Sequence, residues 1–292
     1  MTAPFDKRQL PTLGVGLSFR TEMADAIYAH LDEFDFLEVI VDTAFWGLLH
    51  PDFYGRTVGR LPVVAHGVNA SLGSLDEARV AISYLEQVRA EVARIGSPWL
   101  GEHLAFTKAA GVDAGQLLPL QRSRETIAAV AAKIRHMGEA VGVPILIENL
   151  AYYFEIPGAE MPEAEFVVGV LEEADCGLLL DVNNLYANSV NQDFDPFAFV
   201  DRIPAERVVE IHVAGGEVVE DLYIDTHGHP LNPHVLELLD YVCRTKQPNA
   251  VLLEREKNLP GIGEVVEEIR ILKDIWARSR EPAAARLLSH AG

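Results

Sequence analysis

Residues 210–229 read E-I-H-V-A-G-G-E-V-V-E-D-L-Y-I-D-T-H-G-H, a stretch that joins a predicted strand to a loop rich in potential metal ligands. It begins inside the apolar run Val208–Val213, which is typical of a strand buried on both faces, as in parallel α/β sheets. A Gly-Gly pair ends the run, and the loop beyond it carries Asp225, His227 and His229. Imidazole and carboxylate are the ligands that borderline divalent metals prefer. The stretch therefore predicts a metal site at the end of a buried strand.

Similar short apolar runs recur along the chain and alternate with helical patterns. The predicted strands cover residues 13–19, 34–41, 61–66, 99–106, 144–149, 176–181, 208–213 and 250–254. The predicted helices cover residues 21–31, 74–95, 122–141, 166–174, 196–203, 233–246 and 262–278. Strands that alternate with helices favour a parallel sheet with helical crossovers. Eight of them fit a (β/α)8 TIM barrel of about 250 residues, with a doubly wound open sheet as the alternative.

The chain of 292 residues is predicted to be a single domain, 1–292, because no internal repeat, low-complexity segment or linker divides it. The barrel should occupy about residues 13–278, and residues 279–292 should form a weakly ordered C-terminal tail. The helix at 74–95 is expected to open with a capping box, in which Ser74 and Glu77 satisfy helix-start donors reciprocally.

Composition excludes several classes of function. A net charge of −20 argues against binding a phosphate backbone, so no nucleic-acid partner is expected. Two cysteines, Cys176 and Cys243, cannot form a disulfide framework and fit a reducing compartment as core residues. No run of 18 apolar residues and no signal-peptide pattern is present, so no membrane association is expected. The chain is predicted to be a soluble cytoplasmic protein.

Polar side chains occupy the C-terminal ends of the predicted strands, where an apolar strand would be expected to continue. They are His66, Glu102, His103, Glu148, Asn149, Asp181, Asn183, Asn184, His212 and Glu254. In a TIM barrel these ends open at one mouth, so the side chains should converge with the loop residues after strand seven. Buried carboxylates need compensating cations, and one carboxylate can bridge two metal ions. The pattern predicts a metal centre.

Some of these residues also have structural interpretations. His66 alone is more often a hydrogen-bonded core histidine than a ligand, and residues 181–184, D-V-N-N, could form a turn and helix cap. Residues 255–257 are expected to form a salt-bridged rim. The residues expected to support ligands rather than to bind metal themselves are Glu102, Asn149 and Asn184. His229 is open between a metal ligand and a supporting or loop residue.

The order of motifs resembles one known family. G-V-G-L, A-H-G, G-E-H-L, I-E-N, L-D-V-N-N, E-I-H-x-A-G, D-x-H-G-H and L-E-R-E follow one another across residues 13–260. This order is similar to that of the multinuclear non-heme iron-dependent oxidative enzymes. The resemblance implies a TIM barrel with two or three irons, including a mixed-valent Fe(II)/Fe(III) pair, and O2 as co-substrate. It further implies a ribosomally made precursor peptide as substrate, commonly modified at cysteine, and a separate partner protein that binds the peptide leader.

The resemblance also implies the ligands of three iron positions. Those of the first would be His66, His103 and a bridging Glu148. Those of the second would be Glu148, Asp181, His212 and Glu254. Those of the third, often partly occupied, would be Asn183, Asp225 and His227. Within this set the residues expected to be catalytic are Glu148, Asp181 and His212.

One segment departs from the family pattern. Strand two of the family usually ends in a Glu followed by an Asn-Tyr-like pair, whereas Glu38 is followed here by V-I-V-D-T-A-F-W. The segment should lie at the barrel mouth, so substrate choice or partner use is expected to differ. The metal ligands are expected to be unaffected.

The resulting hypothesis is O2-dependent, two- or four-electron oxidation of a peptide residue, either a cysteine or a C-terminal acidic residue. One alternative is a divalent-metal barrel enzyme of the xylose-isomerase type, acting as a sugar isomerase, an epimerase or an endonuclease. The predicted strand ends offer no lysine for sugar isomerisation, and the net charge of −20 disfavours a nuclease. A non-catalytic metal-binding protein is the other alternative.

Overall fold

The structure is a computed structural model that describes residues 4–74, 79–154 and 156–281. Its strands are β1 (Gly14–Ser18), β2 (Phe36–Ile40), β3 (Val63–Gly67), β4 (Leu100–His103), β5 (Ala105–Ala109), β6 (Val112–Pro119), β7 (Ile145–Glu148), β8 (Gly177–Asp181), β9 (Val208–Val213), β10 (Glu217–Val219), β11 (Leu222–Ile224) and β12 (Ala250–Leu253). Its helices are α1 (Ala24–Ala29), α2 (Asp42–Phe45), α3 (Phe53–Thr57), α4 (Ile82–Ile95), α5 (Arg124–Val141), α6 (Glu163–Ala174), α7 (Val182–Gln192), α8 (Pro196–Arg202), α9 (Pro233–Lys246) and α10 (Ile262–Ser279).

Eight of the strands form a closed parallel barrel in the order β1-β2-β3-β4-β7-β8-β9-β12, which closes where β12 pairs with β1. Each barrel strand corresponds to one of the predicted apolar runs, and the helices α4, α5, α6, α9 and α10 cross between strands or cover the barrel wall. The single-domain (β/α)8 TIM barrel predicted from the sequence is therefore confirmed, and the open-sheet alternative is wrong.

Side chains fill the barrel interior in successive layers, because inward positions on a strand are two residues apart. The lower part of the interior is apolar and contains Phe36, Val64, Trp99, Leu146, Leu179, Val209, Ala250 and Leu252. The polar residues that stand two positions after five of these are Glu38, His66, Glu148, Asp181 and Glu254. An apolar floor thus supports a polar layer at the C-terminal ends of the strands.

Two antiparallel hairpins at the barrel mouth depart from the prediction. The predicted fourth strand, 99–106, divides after His103, and its last residues enter the β5–β6 hairpin. The β10–β11 hairpin occupies the first part of the loop after β9. Both connections start from C-terminal ends of barrel strands, so they extend the mouth and leave the barrel unchanged.

Helix boundaries also differ from the prediction. The helix expected from residue 74 begins at Ile82, and Ser74 instead contacts Ser71 at 2.7 Å between hydroxyl oxygens. Glu77, the other half of the expected capping box, lies outside the described residues. The last helix continues to Ser279, and residues 282–292 of the expected tail also lie outside the described residues. Within the described ranges, no helix is long and apolar enough to cross a membrane.

Candidate metal centre

Histidine, aspartate and glutamate side chains form overlapping groups at the C-terminal ends of the barrel strands. In each group the potential ligand atoms lie within 4.8 Å of one another. The groups found in the described part of the chain are Glu38–His66–His212, His66–His103–Glu148, Glu148–Asp181–His212–Glu254 and His227–Glu254–Glu256. Because the groups share members, they form one continuous centre. Six of its members are called here the central cluster: His66, His103, Glu148, Asp181, His212 and Glu254, of which all but the half-buried His103 are buried.

Glu148 stands in the middle of the central cluster, at the end of β7. Its Oε2 atom lies 3.3 Å from Nε2 of His66 and 3.3 Å from Nε2 of His103. Its Oε1 atom lies 3.4 Å from Nδ1 of His212. The two carboxylate oxygens therefore face different histidines, which is the arrangement that a carboxylate bridging two metal ions requires.

Strand pairing and a glycine together place His66. The Cα atom of His66 pairs with that of Gly101 on β4. A Cβ atom on Gly101 would lie 2.6 Å from Nδ1 of His66, so a larger residue would displace the imidazole. The glycine of the G-E-H-L motif thus makes room for a histidine on the neighbouring strand.

The second half of the central cluster lies on β8, β9 and the end of β12. Nδ1 of His212 lies 3.2 Å from Oε2 of Glu254, and β8 pairs Asp181 with His212 across the strand boundary. Asp181 also caps α7, because its Oδ1 accepts the backbone N–H of Asn184 at 2.7 Å. Its Oδ2 is buried without a hydrogen-bond partner and is free to bind a cation. The interpretation of residues 181–184 as a helix cap is thus confirmed. Only one carboxylate oxygen of Asp181, Oδ2, remains available to bind a metal ion.

Three further residues form an outer cluster at the mouth. The Nδ2 of Asn183 donates to Oδ1 of Asp225 at 2.6 Å, and the same oxygen lies 2.9 Å from Nε2 of His227. Nδ1 of His227 lies 3.7 Å from Oε2 of Glu254, which connects the outer cluster to the central one. His227 has φ of 51°, a left-handed conformation that a non-glycine residue adopts only when its surroundings hold it.

A buried ion pair holds the loop that carries His227. Nε and Nη2 of Arg255 donate to the two carboxylate oxygens of Glu268 at 3.0 and 3.1 Å. Glu268 also accepts the backbone N–H of Leu231 at 3.0 Å, and Arg255 donates to the carbonyl of His229. Arg255 is only 3% exposed, so the expectation that it belongs to a surface rim is wrong. The ion pair therefore holds in place the loop that carries His227, through its bonds to His229 and Leu231.

Replacing Arg255 with methionine is expected to lower the free energy of unfolding by about 3–5 kcal/mol, because Glu268 would stay buried without its cation. Chemical denaturation of the single variant measures the loss. A double variant, Arg255→Met with Glu268→Met, should recover much of it, since no unpaired charge is left. A loss below about 1 kcal/mol for the single variant would contradict this role of the pair.

Three residues were predicted to support the ligands, and each of them contacts a cluster residue or that residue's neighbours. Oε1 of Glu102 lies 3.8 Å from Nδ1 of His103, and its Oε2 accepts the backbone N–H of Ala70 at 3.3 Å. Asn149 bonds through its side chain to the backbone N–H and C=O of Asp181, both at 2.9 Å. Asn184 donates from its side chain to the carbonyl of Asn149 at 3.0 Å.

His229 lies apart from the clusters. Its Nε2 is 3.6 Å from a carboxylate oxygen of Glu217 on the β10–β11 hairpin, and its side chain is 35% exposed. It belongs to none of the groups of potential ligands in the described residues. The structure thus brings His227 to the centre and leaves His229 at the edge of the mouth.

Two members of the centre, Glu38 and Glu256, were not predicted as potential ligands, and Glu38 is the buried one. Its side chain is 2% exposed, and its Oε2 lies 3.3 Å from Nε2 of His212 and 3.9 Å from Nδ1 of His66. The sequence analysis named Glu38 only as the residue before the segment that departs from the family pattern, and it assigned Glu38 no role in the site. The missed signal was the two-residue spacing from Phe36 to Glu38, which matches that from Val64 to His66 on the next strand.

The charges of the central cluster depend strongly on one another. Burial disfavours the charged imidazole, yet the carboxylates of Glu148 and Glu102 raise the pKa of His103 to about 9. Burial likewise would raise the pKa of Glu148, but the neighbouring histidines, His103 and His212 first, lower it to about 2. Burial, reinforced by Asp225 and Glu148, raises the pKa of Asp181 well above its usual range. Without a cation, a proton on His103 therefore offsets the charge of the Glu148 carboxylate.

The family follows from comparison with known proteins. A family model described as "RiPP precursor modification enzyme MbnB/TglH/ChrH" matches residues 14–277, where RiPP denotes a ribosomally synthesised and post-translationally modified peptide. The chain belongs to this family. A UPF0276 protein of Acinetobacter baylyi is 37% identical over 281 residues, which cover 95% of this chain and 96% of that protein. A UPF0276 protein of Pseudomonas aeruginosa is 37% identical over 92% of this chain and 94% of its own.

Solved structures share the fold of this MbnB/TglH/ChrH family member. A D-tagatose 3-epimerase-like protein superposes with a TM-score of 0.58 at 16% sequence identity, covering 91% of this chain and 98% of its own. An L-ribulose 3-epimerase gives a TM-score of 0.57 at 13% identity, covering 94% and 97%. At such low identity the likeness extends to the barrel and not to the reaction.

The side chains of the central cluster fit a metal centre. In the described residues, several buried atoms of the cluster lack a hydrogen-bond partner: Glu148 Oε2, Asp181 Oδ2, and Nδ1 of His66, His103 and His212. Buried polar atoms are otherwise almost always paired, so a group of unpaired donors and acceptors around one point indicates a missing partner. The donor set of imidazole and carboxylate suits iron, zinc or manganese. Membership of an RiPP-modifying family and this cluster together indicate a metalloenzyme.

Proposed function

We propose that the chain is an iron-dependent, O2-dependent oxidase that modifies a residue of a ribosomally synthesised precursor peptide. The observation that carries the proposal is the position of Glu148, whose two carboxylate oxygens face His66 with His103 on one side and His212 on the other. This carboxylate could contribute a ligand to each of two iron ions, which would supply the redox chemistry that oxidation by O2 needs. Membership of a peptide-modifying family supplies the substrate class.

The proposed ligands follow the grouping of the side chains. His66, His103 and Glu148 would hold one ion. Glu148, Asp181, His212 and Glu254 would hold a second. Asn183, Asp225 and His227 would hold a third at the mouth, with His227 and Asp225 only 2.9 Å apart. Iron bound there would supply redox chemistry that no side chain of the chain offers.

The side chains around the ions would hold them and balance their charge. Asp181 would bind through Oδ2 while its Oδ1 keeps α7 capped, so the carboxylate cannot rotate. Arg20, 15% exposed in its side chain, lies 3.9 Å from Glu254 and also pairs with Glu256. It would offset negative charge at the mouth and orient the Glu254 carboxylate. The buried setting of these groups would keep bulk water away from the reaction.

The mouth offers apolar contacts that suit a peptide. Trp46 and Leu48, 51% and 61% exposed, follow β2, and Phe154, 56% exposed, follows β7. Val218, 69% exposed, lies on the β10–β11 hairpin after β9. All four stand on connections that leave C-terminal ends of barrel strands, where substrates of TIM barrels bind. Exposed apolar side chains grouped at one end of a protein commonly mark a binding surface. The modified residue would be a cysteine or a C-terminal acidic residue, and a separate protein would present the leader.

Replacing Trp46 with alanine is expected to weaken peptide binding by about tenfold, because an exposed aromatic anchor contributes roughly 1–2 kcal/mol to such a contact. The dissociation constant of a fluorescein-labelled precursor peptide measures the effect, and metal content should be unchanged. Ile271→Ala serves as the matched control, since Ile271 is 44% exposed on α10, away from the mouth. Equal losses in both variants would remove Trp46 from the proposed binding surface.

Metal analysis with Mössbauer spectroscopy, on protein purified anaerobically from iron-supplemented cells, tests the proposal most directly. Two or more irons per chain with an antiferromagnetically coupled pair, together with O2 consumption that depends on peptide, would support it. Zinc, manganese or magnesium without iron would favour the isomerase or hydrolase alternative. Bound iron without peptide-dependent O2 consumption would favour a non-catalytic metal-binding protein.

A further inference from the structure

We infer that Glu38 is a positioning residue that fixes the tautomers of two metal-binding histidines at once, His66 and His212. The inference rests on the metal centre of the proposed function and goes beyond it. Glu38 would not bind the ions. It would accept the N–H of each imidazole on the side that faces away from Glu148.

The geometry around Glu38 is asymmetric in the way that this role requires. His212 presents Nε2 to Glu38 at 3.3 Å and Nδ1 to Glu148 at 3.4 Å. His66 presents the opposite nitrogens, with Nε2 3.3 Å from Glu148 and Nδ1 3.9 Å from Glu38. Nδ1 of His66 is buried and has no hydrogen-bond partner at that distance, so the ring or the carboxylate would move closer to form the bond when metal binds. Each ring therefore spans the gap between the same two carboxylates. Glu38 and both histidines are at most 3% exposed, so water cannot substitute for the carboxylate.

A neutral imidazole has one N–H and one lone pair, and a metal ion takes the lone pair. If the ions lie beside Glu148, the lone pairs of His212 and His66 must be on Nδ1 and Nε2. The protons then lie on Nε2 of His212 and Nδ1 of His66, the two atoms that face Glu38. One carboxylate has enough lone pairs to accept both N–H groups. The two rings are consequently held as different tautomers by the same residue.

A fourth metal position among Glu38, His66 and His212 is the competing interpretation, because these ligand atoms also lie within 4.8 Å of one another. Both rings would then bind metal through both nitrogens. That requires each imidazole to lose its second proton, which a neutral ring does not do near physiological pH. Acceptance of two N–H groups by one carboxylate needs no such loss, and such carboxylates commonly orient metal-binding histidines.

The test uses the full chain loaded with Zn(II), a diamagnetic ion that permits NMR. Long-range ¹H–¹⁵N spectra of the zinc-loaded wild type should show His212 protonated at Nε2 and His66 at Nδ1. Either histidine in the other tautomer would overturn the inference. This measurement needs no variant, so a folding defect cannot obscure it.

Affinity measurements on variants complete the test. Glu38→Gln keeps the shape of the side chain but can accept only one N–H well, so zinc affinity should fall by about 10- to 100-fold. Glu38→Asp should recover part of the loss, because the carboxylate is retained. Glu210→Gln is the matched control: Glu210 is a buried glutamate of the same barrel interior whose Oε2 accepts the Trp99 indole N–H at 2.7 Å.

The outcomes separate the inference from the proposed function. Unchanged affinity and tautomers in Glu38→Gln would overturn the role of Glu38 while leaving the metal centre intact. An equal fall in affinity in Glu210→Gln would show a general effect of altering the barrel interior and would also overturn it. Failure of the wild type to bind zinc or iron at all would overturn the metal centre itself, and the inference with it.

Discussion

Replacing Glu148 with alanine is expected to leave less than one metal ion per chain and to reduce peptide oxidation by roughly 10³-fold or more. Glu148 is 2% exposed and lies 3.3–3.4 Å from three histidines, so it is the one side chain that both inner ions would share. Its loss would remove a ligand from each proposed ion and also the negative charge between them. Metal analysis and O2 uptake with peptide, on protein purified anaerobically, measure the two effects.

Two further variants make the Glu148 experiment specific. Glu148→Gln preserves the shape of the side chain and tests whether the charge matters, and it should lose most of the metal as well. Glu139→Ala removes an exposed carboxylate from α5 and should keep the metal content and activity of the wild type. Circular dichroism establishes that each variant is folded. Retention of two irons and activity in Glu148→Ala would rule out the bridging assignment.

Metal affinity is expected to rise by at least about 100-fold between pH 6 and pH 8. In the metal-free chain the pKa of His103 is raised to about 9 by Glu148 and Glu102, against the effect of burial, so this imidazole carries a proton throughout that range. A metal ion binds only the unprotonated ring, so binding must displace the proton. Each proton displaced makes the association constant rise about tenfold per pH unit while the pH stays below the pKa.

Other groups should steepen this dependence. Glu38 and Glu254 raise the pKa of His212, and Asp225 and Glu254 raise that of His227, in both cases against burial. Competition with a chelator of known pH dependence, under anaerobic conditions with Fe(II), measures the slope, and a pH indicator counts the protons released. An affinity independent of pH would mean that the histidines are already unprotonated in the metal-free chain.

The sequence predicts the barrel well because its strands are buried on both faces. Apolar runs such as Val208–Val213, bounded by glycine and polar residues, are sufficient to place all eight strands. The two hairpins at the mouth were not predicted, because β6 and β10 are largely exposed, β11 is only three residues long, and β5 continues the predicted fourth strand. In β6, for example, the residues Val112–Gln116 are all exposed. The start of α4 was also misplaced, since Ser74 uses its hydroxyl elsewhere.

The sequence predicts the members of the site better than their contacts. His66, Glu148 and Asp181 can be identified from the sequence because buried parallel strands rarely contain polar residues, and these three stand at strand ends. The structure brings them together. Glu38 was missed because it stands two residues before the end of β2, inside an apolar strand. Arg255 was misassigned because its partner, Glu268, lies on α10, and no local pattern connects the two. Contacts between distant segments depend on tertiary packing, which one sequence does not display.

The floor of the barrel contains an optical reporter. Trp99 is fully buried in the apolar layer, with its indole N–H bonded to Glu210, whereas Trp46 is 51% exposed at the mouth. The emission of Trp99 should therefore lie at shorter wavelength than that of Trp46. Trp276 on α10 is the third tryptophan, so in a Trp276→Phe background the other two emissions can be separated by replacing either residue with phenylalanine. Iron entering the layer above would quench the buried fluorophore, while a bound peptide would shift the exposed one. Metal loading and substrate capture could then be followed in the same cuvette, without a label.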